Sequence, residues 1–486
     1  MKPCLLSIQL LNKVINMRYP ANKTKIVCTI GPATDSLEKM EALLRAGMNV
    51  ARLNFSHGDF SSHGDTIKKL RQASEKTGHR LAIMADLPGP KMRIGELKEE
   101  PIELHNGDSF VLTTEDIIGD QQRVSVTFKE LPGIVKTGDN LFLNDGLISL
   151  LVTEVTGNDV CCEVHAGGEL RSRKGLNLPG IDLGFSAFTA HDKHCLEFAL
   201  TQGVDAVSQS FVANKDDIID LKKAAKEMGH DPFVIAKIER SGALDNLESI
   251  LQVSDGIMVA RGDLGVEIPI ASMAITQKNI MKLAANACKP VITATQMLES
   301  MTEHRRPTRA EATDVANAIL DGTDAVMLSG ESAMGKYPID AAAMLAEIAR
   351  STEPHRTIDK TLQRLGDNKT AETLIAHNIQ LSVRNTHPEA VITPTISGNM
   401  ARNVARYRLP VWVTAFSSEE STCQSLQFSY GVFPVKAEKE LDEWTPFLRE
   451  WFKDQAINSG FAILAQGPSA EHPLSNHRMG FIDLSL

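Results

Sequence analysis

Phe233-Val-Ile-Ala-Lys-Ile-Glu-Arg-Ser241 is the stretch on which the reading of this chain turns. It opens as a short continuous apolar run in which Val234, Ile235 and Ile238 are β-branched. Such a run predicts a strand buried on both faces. Its tip then carries Lys237, Glu239 and Arg240. Taking opposite charges out of water costs several kcal/mol, and pairing them returns only part of it (roughly,). A structural Lys–Glu pair is one account of these charges and a functional site is the other. The next apolar run, Gly256–Ala260, ends in Arg261-Gly262-Asp263-Leu-Gly-Val-Glu267, and that favours the second. Two neighbouring strands then bring carboxylates and cations to one place. Glu239 and Asp263 make a hard, oxygen-rich pair suited to Mg²⁺. Lys237 beside them is a cation suited to a phosphoryl group.

Working outward, strands and helices alternate. Strands are predicted at 25–30, 49–54 and 81–86, with helices at 36–46 and 61–76. The alternation resumes with helix 190–202, strand 204–209, helix 215–228, strand 233–238, helix 242–251 and strand 256–260. It closes with helix 271–287, strand 290–294, helix 308–321, strand 324–328 and helix 338–350. Eight strands each leading to a helix is the count of a closed (β/α)₈ barrel. An open doubly wound sheet is the alternative, but the first strand is not followed by a glycine-rich phosphate turn. In a barrel the carboxyl ends of the strands carry the active site. Here those tips read Thr29; Arg52, Asn54 and Ser56; Asp86; Ser208 and Ser210; Lys237 and Glu239; Arg261 and Asp263; Thr295 and Gln296; Ser329 and Glu331. One polar tip is ordinary. Eight in register point to a site.

Residues 88–187 interrupt the barrel after its third strand. They carry the vocabulary of a small β-barrel domain, with strands at 109–114, 123–127, 140–143, 148–153 and 160–164. Asn106-Gly107, Asp145-Gly146 and Gly157-Asn158 punctuate them as turns. An insertion hinged over a barrel mouth reads as a lid that excludes water, or else as a passive insertion. The segment Lys174-Gly-Leu-Asn177 supplies polar reach towards the mouth. The layout expected is therefore an N-terminal extension at 1–22, barrel at 23–87, lid at 88–187, barrel again at 188–353 and an α/β regulatory domain at 354–486. In the last unit, residues 354–370 read as a polar linker and helix. Helices follow at 371–384, from Asn399, at 419–426 and at 440–457. Strands are expected at 389–393, 411–414, 431–435, 461–464 and near 480–484. Thr393-Pro-Thr-Ile-Ser397-Gly398 leaves a strand and opens a helix, a place for an anion or a plain helix cap.

Composition bounds the function. The chain has 486 residues, 42% hydrophobic and 23% charged, which fits two to four globular domains at about 100–200 residues each. Its net charge of −10 argues against nucleic acid as a partner, since a phosphate backbone would be repelled. The 7 cysteines are odd in number, scattered and without a CxxC spacing, which suits the reducing cytoplasm and no zinc site. The apolar residues of the first 19 are broken by Gln9, Asn12 and Lys13, so neither a signal peptide nor a membrane span is expected. Met17 is as good a start as Met1.

The ordered motifs KIVCTIGP (25–32), NVARLNFSHG (49–58), DLPGPKMR (86–93), AKIERS (236–241), MVARGDLGVE (258–267), VITATQMLESM (291–301), PTRAEATD (307–314) and VMLSGESA (326–333) resemble the pyruvate kinase family. The likeness covers about residues 23–350 and weakens towards the end. It implies transfer of the phosphoryl group of phosphoenolpyruvate to ADP, giving pyruvate and ATP, usually in a homotetramer. By position, Glu239 and Asp263 resemble the ligands of Mg²⁺ (or Mn²⁺), and Lys237 the residue that steadies the phosphoryl group. Arg52 resembles a phosphate clamp. The backbone at Ala260, Arg261 and Gly262 resembles the substrate carboxylate site, with Ser210 and Gln296 close by. Thr295 falls beside the enolate carbon. Arg93, Lys174, Asn177 and His57 resemble nucleotide contacts. The family's potassium site corresponds to Asn54, Ser56, Asp86 and a threonine where this chain has Leu87, with a glutamate where it has Lys91. The Lys91 ammonium is expected to stand in for potassium, which is then not required. Asn399 after Gly398, and Ala470–Asn476 in place of a Gly-Ser-Thr-Asn-like turn, make a bisphosphate activator doubtful. A sugar monophosphate or nucleotide effector, or none, is expected instead. Two rival functions are a phosphoenolpyruvate- or pyruvate-handling lyase on a barrel, which needs no lid, and a silent scaffold. A scaffold is expected to lose some of Arg52, Lys237, Glu239, Asp263 and Thr295, and all five are present.

Overall fold

The computed structural model describes residues 19–181, 184–356, 370–437, 443–467 and 476–485. Expectations for the first 18 residues, for the linker at 357–369 and for most of the 470–476 turn lie outside these. Eight parallel strands close a barrel: β1 (Lys25–Thr29), β2 (Val50–Asn54), β3 (Ala82–Leu87), β4 (Ala206–Gln209), β5 (Phe233–Ile238), β6 (Gly256–Ala260), β7 (Val291–Ala294) and β8 (Ala325–Leu328). β1 pairs with both β2 and β8, so no edge is left open.

Alternation along each strand sorts the side chains into two cores. In β5, Val234, Ala236 and Ile238 face the helices, while Phe233 and Ile235 join Val27, Met84, Met258 and Met327 inside the barrel. Lys237 is the next inward position, and the register Lys237↔Met258 sets it beside β6. The helices are bounded by ordinary capping chemistry. Ser36 accepts from the Lys39 amide, and Gly47 ends the same helix in the left-handed region at φ 114°.

The differences from the sequence reading are local. The helix expected at 242–251 is split into Ser241–Asp245 and Leu247–Val253, because Asn246 leaves the helical region at its break. The helix expected at 271–287 starts as a 3₁₀ turn, Ile270–Ser272, and becomes α at Met273–Asn286. In the insertion, Ile148–Thr156 and Asp159–Ala166 run longer than expected and form the centre of a six-stranded sheet. Ile102–Leu104 pairs with Gly168–Leu170 as a separate ribbon that alternation alone had not shown. The insertion has its own core around Phe110, Leu112, Leu141 and Leu150.

The C-terminal α/β domain is a five-stranded sheet. Val432–Lys436, Trp412–Ser417, Ala390–Pro394 and Phe461–Gln466 run parallel in that order, and Arg478–Asp483 is antiparallel at the edge. Tyr19, from the span read as an extension, packs into this domain: it stacks on Trp412 at 5.6 Å and bonds Thr414 Oγ1 at 2.7 Å. The same domain closes the floor of the barrel. Phe428 is fully buried and stacks on Phe233 at 5.2 Å. Beside it, the buried Arg408 guanidinium pairs with Asp324 at 2.5 Å. No described helix is long and apolar enough to cross a membrane.

Candidate active site

At the carboxyl ends of the strands, a cleft of about 340 Å³ opens between the barrel and the lid. Lys237 stands at its floor. Its Nζ lies 2.8 Å from Glu239 Oε1, donates to Ser210 Oγ at 2.7 Å and reaches Asp86 at 3.4 Å. Burial alone would lower its pKa, but Asp86 and Glu239 outweigh it and raise the value, so the ammonium stays charged. Asp86 is the hub beneath. It accepts from Arg52 Nε at 2.9 Å and Nη2 at 2.5 Å, and from Ser208 Oγ at 2.6 Å. Burial pushes the Asp86 carboxyl up, yet Lys237 and Arg52 together hold it down to about 2. Arg52 Nη1 is further fixed by Thr29 Oγ1 at 2.9 Å. A guanidinium with both ends anchored is a preorganised clamp.

The two acids face each other across the β5–β6 seam. Glu239 keeps Oε2 on the Phe211 amide at 2.7 Å. Asp263 sits in the first turn of the helix Arg261–Glu267. Burial, and then the Glu239 charge, push its pKa well above the carboxylate range. Two buried carboxylates lining one cleft, the charge of one adding to what burial does to the other, form a donor set that a hard dication relieves. Among the described residues no third His, Cys, Asp or Glu completes a cage. Mg²⁺ suits such a site, because it is bound through one or two carboxylates with its remaining positions on substrate and water.

Thr295 lies opposite. Its hydroxyl accepts from the Gly262 amide at 2.8 Å and donates to Ala294 O at 2.7 Å. One of the three amides assigned to the substrate carboxylate is therefore already engaged. Thr295 and Gln296 both adopt left-handed backbone, φ 67° and 52°. The Arg261 side chain holds this strained pair: it donates to Thr295 O at 2.8 Å and Ala294 O at 3.3 Å, and pairs with Asp314 at 2.7 Å.

Other expected residues line the same cleft: Asn54 and Ser56 from the barrel, Lys91 from the segment that leaves β3 for the lid, and Arg93, Lys174 and Asn177 from the lid. Burial, then Lys237 and Arg93, bring the Lys91 pKa down to about 8. His57 faces an adjoining cleft of about 500 Å³ shared with Lys91, Arg93 and Arg173, and burial, then the charges of Lys91, Arg93 and Arg52, lower its pKa. Leu87 differs from its expected role. Its side chain is buried in the layer under the helices, and its carbonyl already accepts from Ser210 Oγ at 2.7 Å. Glu331, a strand-tip carboxylate, is structural: it is fully buried and accepts from the Leu298 and Ser329 amides. Asp145 was missed. It reaches the cleft from the lid turn and adds to the negative charge at Asp263. Its Asp-Gly signal read only as a turn. The turn tip lies so close to the barrel that a Cβ on Gly146 would come within 3.1 Å of Val266.

Residues 21–342 match the family description "Pyruvate kinase, barrel domain", and residues 373–467 match "Pyruvate kinase, alpha/beta domain". The chain belongs to the pyruvate kinase family. It is 46% identical over 433 residues to the pyruvate kinase of Thermococcus litoralis, covering 88% of this chain and 91% of that one. To the pyruvate kinase of Thermotoga maritima it is 43% identical over 416 residues, covering 86% and 89%. The crystal structure of a pyruvate kinase from Cryptosporidium parvum superimposes with a TM-score of 0.89 at 34% identity, over 97% of each chain. The closed barrel and the C-terminal α/β domain expected from the motifs are thus those of the pyruvate kinases, and this chain is a phosphotransferase.

Proposed function

We propose that the cleft transfers the phosphoryl group of phosphoenolpyruvate to ADP with Mg²⁺, without potassium, and under control of the C-terminal domain. The observation that carries the reading is Lys237 Nζ, seated between Glu239, Ser210 and Asp86 at the mouth of the barrel. In the reaction a β-phosphate oxygen of ADP attacks phosphorus, the bond to the enol oxygen breaks, and the enolate takes a proton at carbon. Lys237 and Arg52 neutralise charge on the phosphoryl oxygens, which is most of the catalytic task in such transfers. The dication, when held by Glu239 and Asp263, supplies further neutralisation on the substrate oxygens. Amides at the start of the Arg261–Glu267 helix orient the carboxylate, with Ser210 and Gln296 flanking it. Thr295 faces the carbon to be protonated. Its own hydrogen is held by Ala294 O, so direct delivery requires that bond to turn. Arg93, Lys174, Asn177 and His57 take the nucleotide phosphates.

The potassium reading rests on Lys91, an ammonium in the same cleft as Asn54, Ser56 and Asp86. Effector control, cytoplasmic location and a homotetramer belong to the same proposal. The exposed Ile270, Ile275 and Met334, at 76%, 61% and 75%, support self-association. The test is ATP yield from phosphoenolpyruvate and ADP, with potassium or tetramethylammonium as the monovalent cation. ATP formed equally in both supports the reading. No ATP in either overturns it in favour of a lyase, and a rise of about tenfold with potassium overturns the role given to Lys91.

A further inference from the structure

The lid leaves the barrel through Pro88-Gly89-Pro90, just past β3, and returns through residues 184–189, just before the helix Ala190–Thr201. Both stalks end on one side chain. Asp192, in the first turn of that helix, is fully buried. Its Oδ1 accepts from the Gly89 amide at 2.9 Å, and its Oδ2 from the Thr189 amide at 2.8 Å and the Thr189 hydroxyl at 2.6 Å. A capping box accounts for the Thr189 bonds, in which the third helical residue turns back to the amide of the cap. It does not account for the bond to Gly89, 103 residues earlier in the chain. A buried carboxylate is costly unless donors reach its charge, and hydrogen bonds to a charged acceptor are stronger than neutral ones. Here those donors come from two stalks, not one.

The exit stalk is also seated tightly. Gly89 is left-handed at φ 65°, and a Cβ there would lie 2.9 Å from the Phe211 ring and 3.0 Å from Ser210 O. Ser210 Oγ takes the bond from Lys237, and the Phe211 amide gives one to Glu239. The stalk therefore rests on the two residues that hold the phosphoryl cation and a metal carboxylate. The return stalk is held at Ala187, whose amide donates to Asp217 Oδ1 at 2.7 Å and whose carbonyl accepts from Gln209 Nε2 at 2.8 Å. Asp217 spends its other oxygen on the Ala213 and Asn214 amides, away from the exit stalk. Asp192 is the carboxylate that bonds both stalks.

We propose that Asp192 is a positioning residue that clasps the two stalks together, so that the lid meets the nucleotide as one body. Lys91 and Arg93 lie two and four residues beyond Gly89 and line the cleft with Lys174 and Asn177 of the lid. With the clasp open the stalks turn independently, a smaller fraction of the lid is competent to bind, and the apparent affinity for nucleotide falls by that fraction. The nucleotide part rests on the function proposed above; the clasp itself is tested by hydrogen exchange alone.

Asp192→Asn keeps the shape and one acceptor, but its amide nitrogen cannot take an N–H bond. On the full chain, exchange should become about tenfold faster in both 86–93 and 184–189, the loss of a hydrogen bond to a charged group. KM for ADP should rise about tenfold, by the same bond, with KM for phosphoenolpyruvate little changed. Thr189→Ala weakens the helix cap and leaves the Gly89 bond in place. It should lower the melting temperature while exchange at 86–93 and KM for ADP stay as in the wild type. A wild-type measurement needs no variant to fold: residue-resolved protection of the Gly89 and Thr189 amides should agree to within about tenfold. Faster exchange confined to 190–201 in Asp192→Asn, an unchanged KM for ADP, a KM that rises equally in Thr189→Ala, or unequal wild-type protection overturns the proposal. Faster exchange in both stalks of a chain whose wild type forms no ATP upholds the clasp and overturns the kinase reading instead.

Discussion

Lys237 Nζ and Glu239 Oε1 lie 2.8 Å apart, two positions along one chain segment and on the same face of it. The pair joins the cation for the phosphoryl group to one carboxylate of the metal site, and Asp86 with Glu239 keeps Lys237 charged. Lys237→Met should lower kcat by about 10²–10³ or more, the cost of removing one preorganised electrostatic partner. Binding of phosphoenolpyruvate should weaken less. Steady-state kinetics on a variant with an unchanged circular dichroism spectrum checks this, and unaltered turnover would refute the role.

Asp86 is expected to mark the acid limit of stability. Its folded pKa of about 2 lies below the ordinary value near 3.9. The stabilisation is therefore full above about pH 4 and is lost as the pH falls through 2. It is on the order of 2 kcal/mol. Denaturant melts of the wild type and Asp86→Asn between pH 5 and 2 should converge at the acid end.

Lys25 works in the other direction. It is buried at the domain junction, with Nζ on Val432 O at 2.7 Å and 5.4 Å from the Trp412 ring centre. Burial lowers its pKa to about 7. A lysine depressed in the folded state destabilises below its ordinary pKa, fully below about 7, and the penalty fades as the pH rises towards about 10.4. Thermal stability from this group should climb between pH 7 and 10, and Lys25→Met should flatten that climb.

Lys91 should govern the monovalent requirement. Lys91→Glu removes the ammonium and restores the carboxylate usual in the family at that position. Its initial rate should rise about tenfold or more with potassium over tetramethylammonium, while the wild type stays flat. A flat response in both would refute the substitution of ammonium for potassium.

Asp314 is expected to act through Arg261 on the left-handed Thr295–Gln296 pair. Asp314→Ala frees one side of the guanidinium that clamps Thr295 O. A fall of about tenfold in kcat with little change in KM is expected, since a shift of about 1 Å in a positioned group costs that much or more. A purely structural role would instead show in the melting temperature with kcat intact.

Much of this was legible in the chain. The short apolar run with charges at its tip marked β5 as a buried strand, and the strand-tip residues named the cleft before any geometry was known; which of its side chains face inward came only from the register. What escaped was set by tertiary packing. Asp145 could not be told from a turn residue, because its role depends on how the lid folds back. Glu331 resembled a site carboxylate until its two amide partners were seen. Leu87 points outward because the strand register decides its face. The break at Asn246 follows no strong helix breaker in the sequence.

The floor of the barrel has a practical meaning for anyone trimming the enzyme. A chain cut after residue 356 would strip Phe428 from Phe233 and Arg408 from Asp324, opening an apolar tube and a bare carboxylate to water at once. Only four residues of extended strand, about 13 Å, separate that wound from Lys237. The catalytic barrel and its appended domain are thus one folding unit at their seam, and a minimal kinase made from the barrel alone should be insoluble rather than merely unregulated.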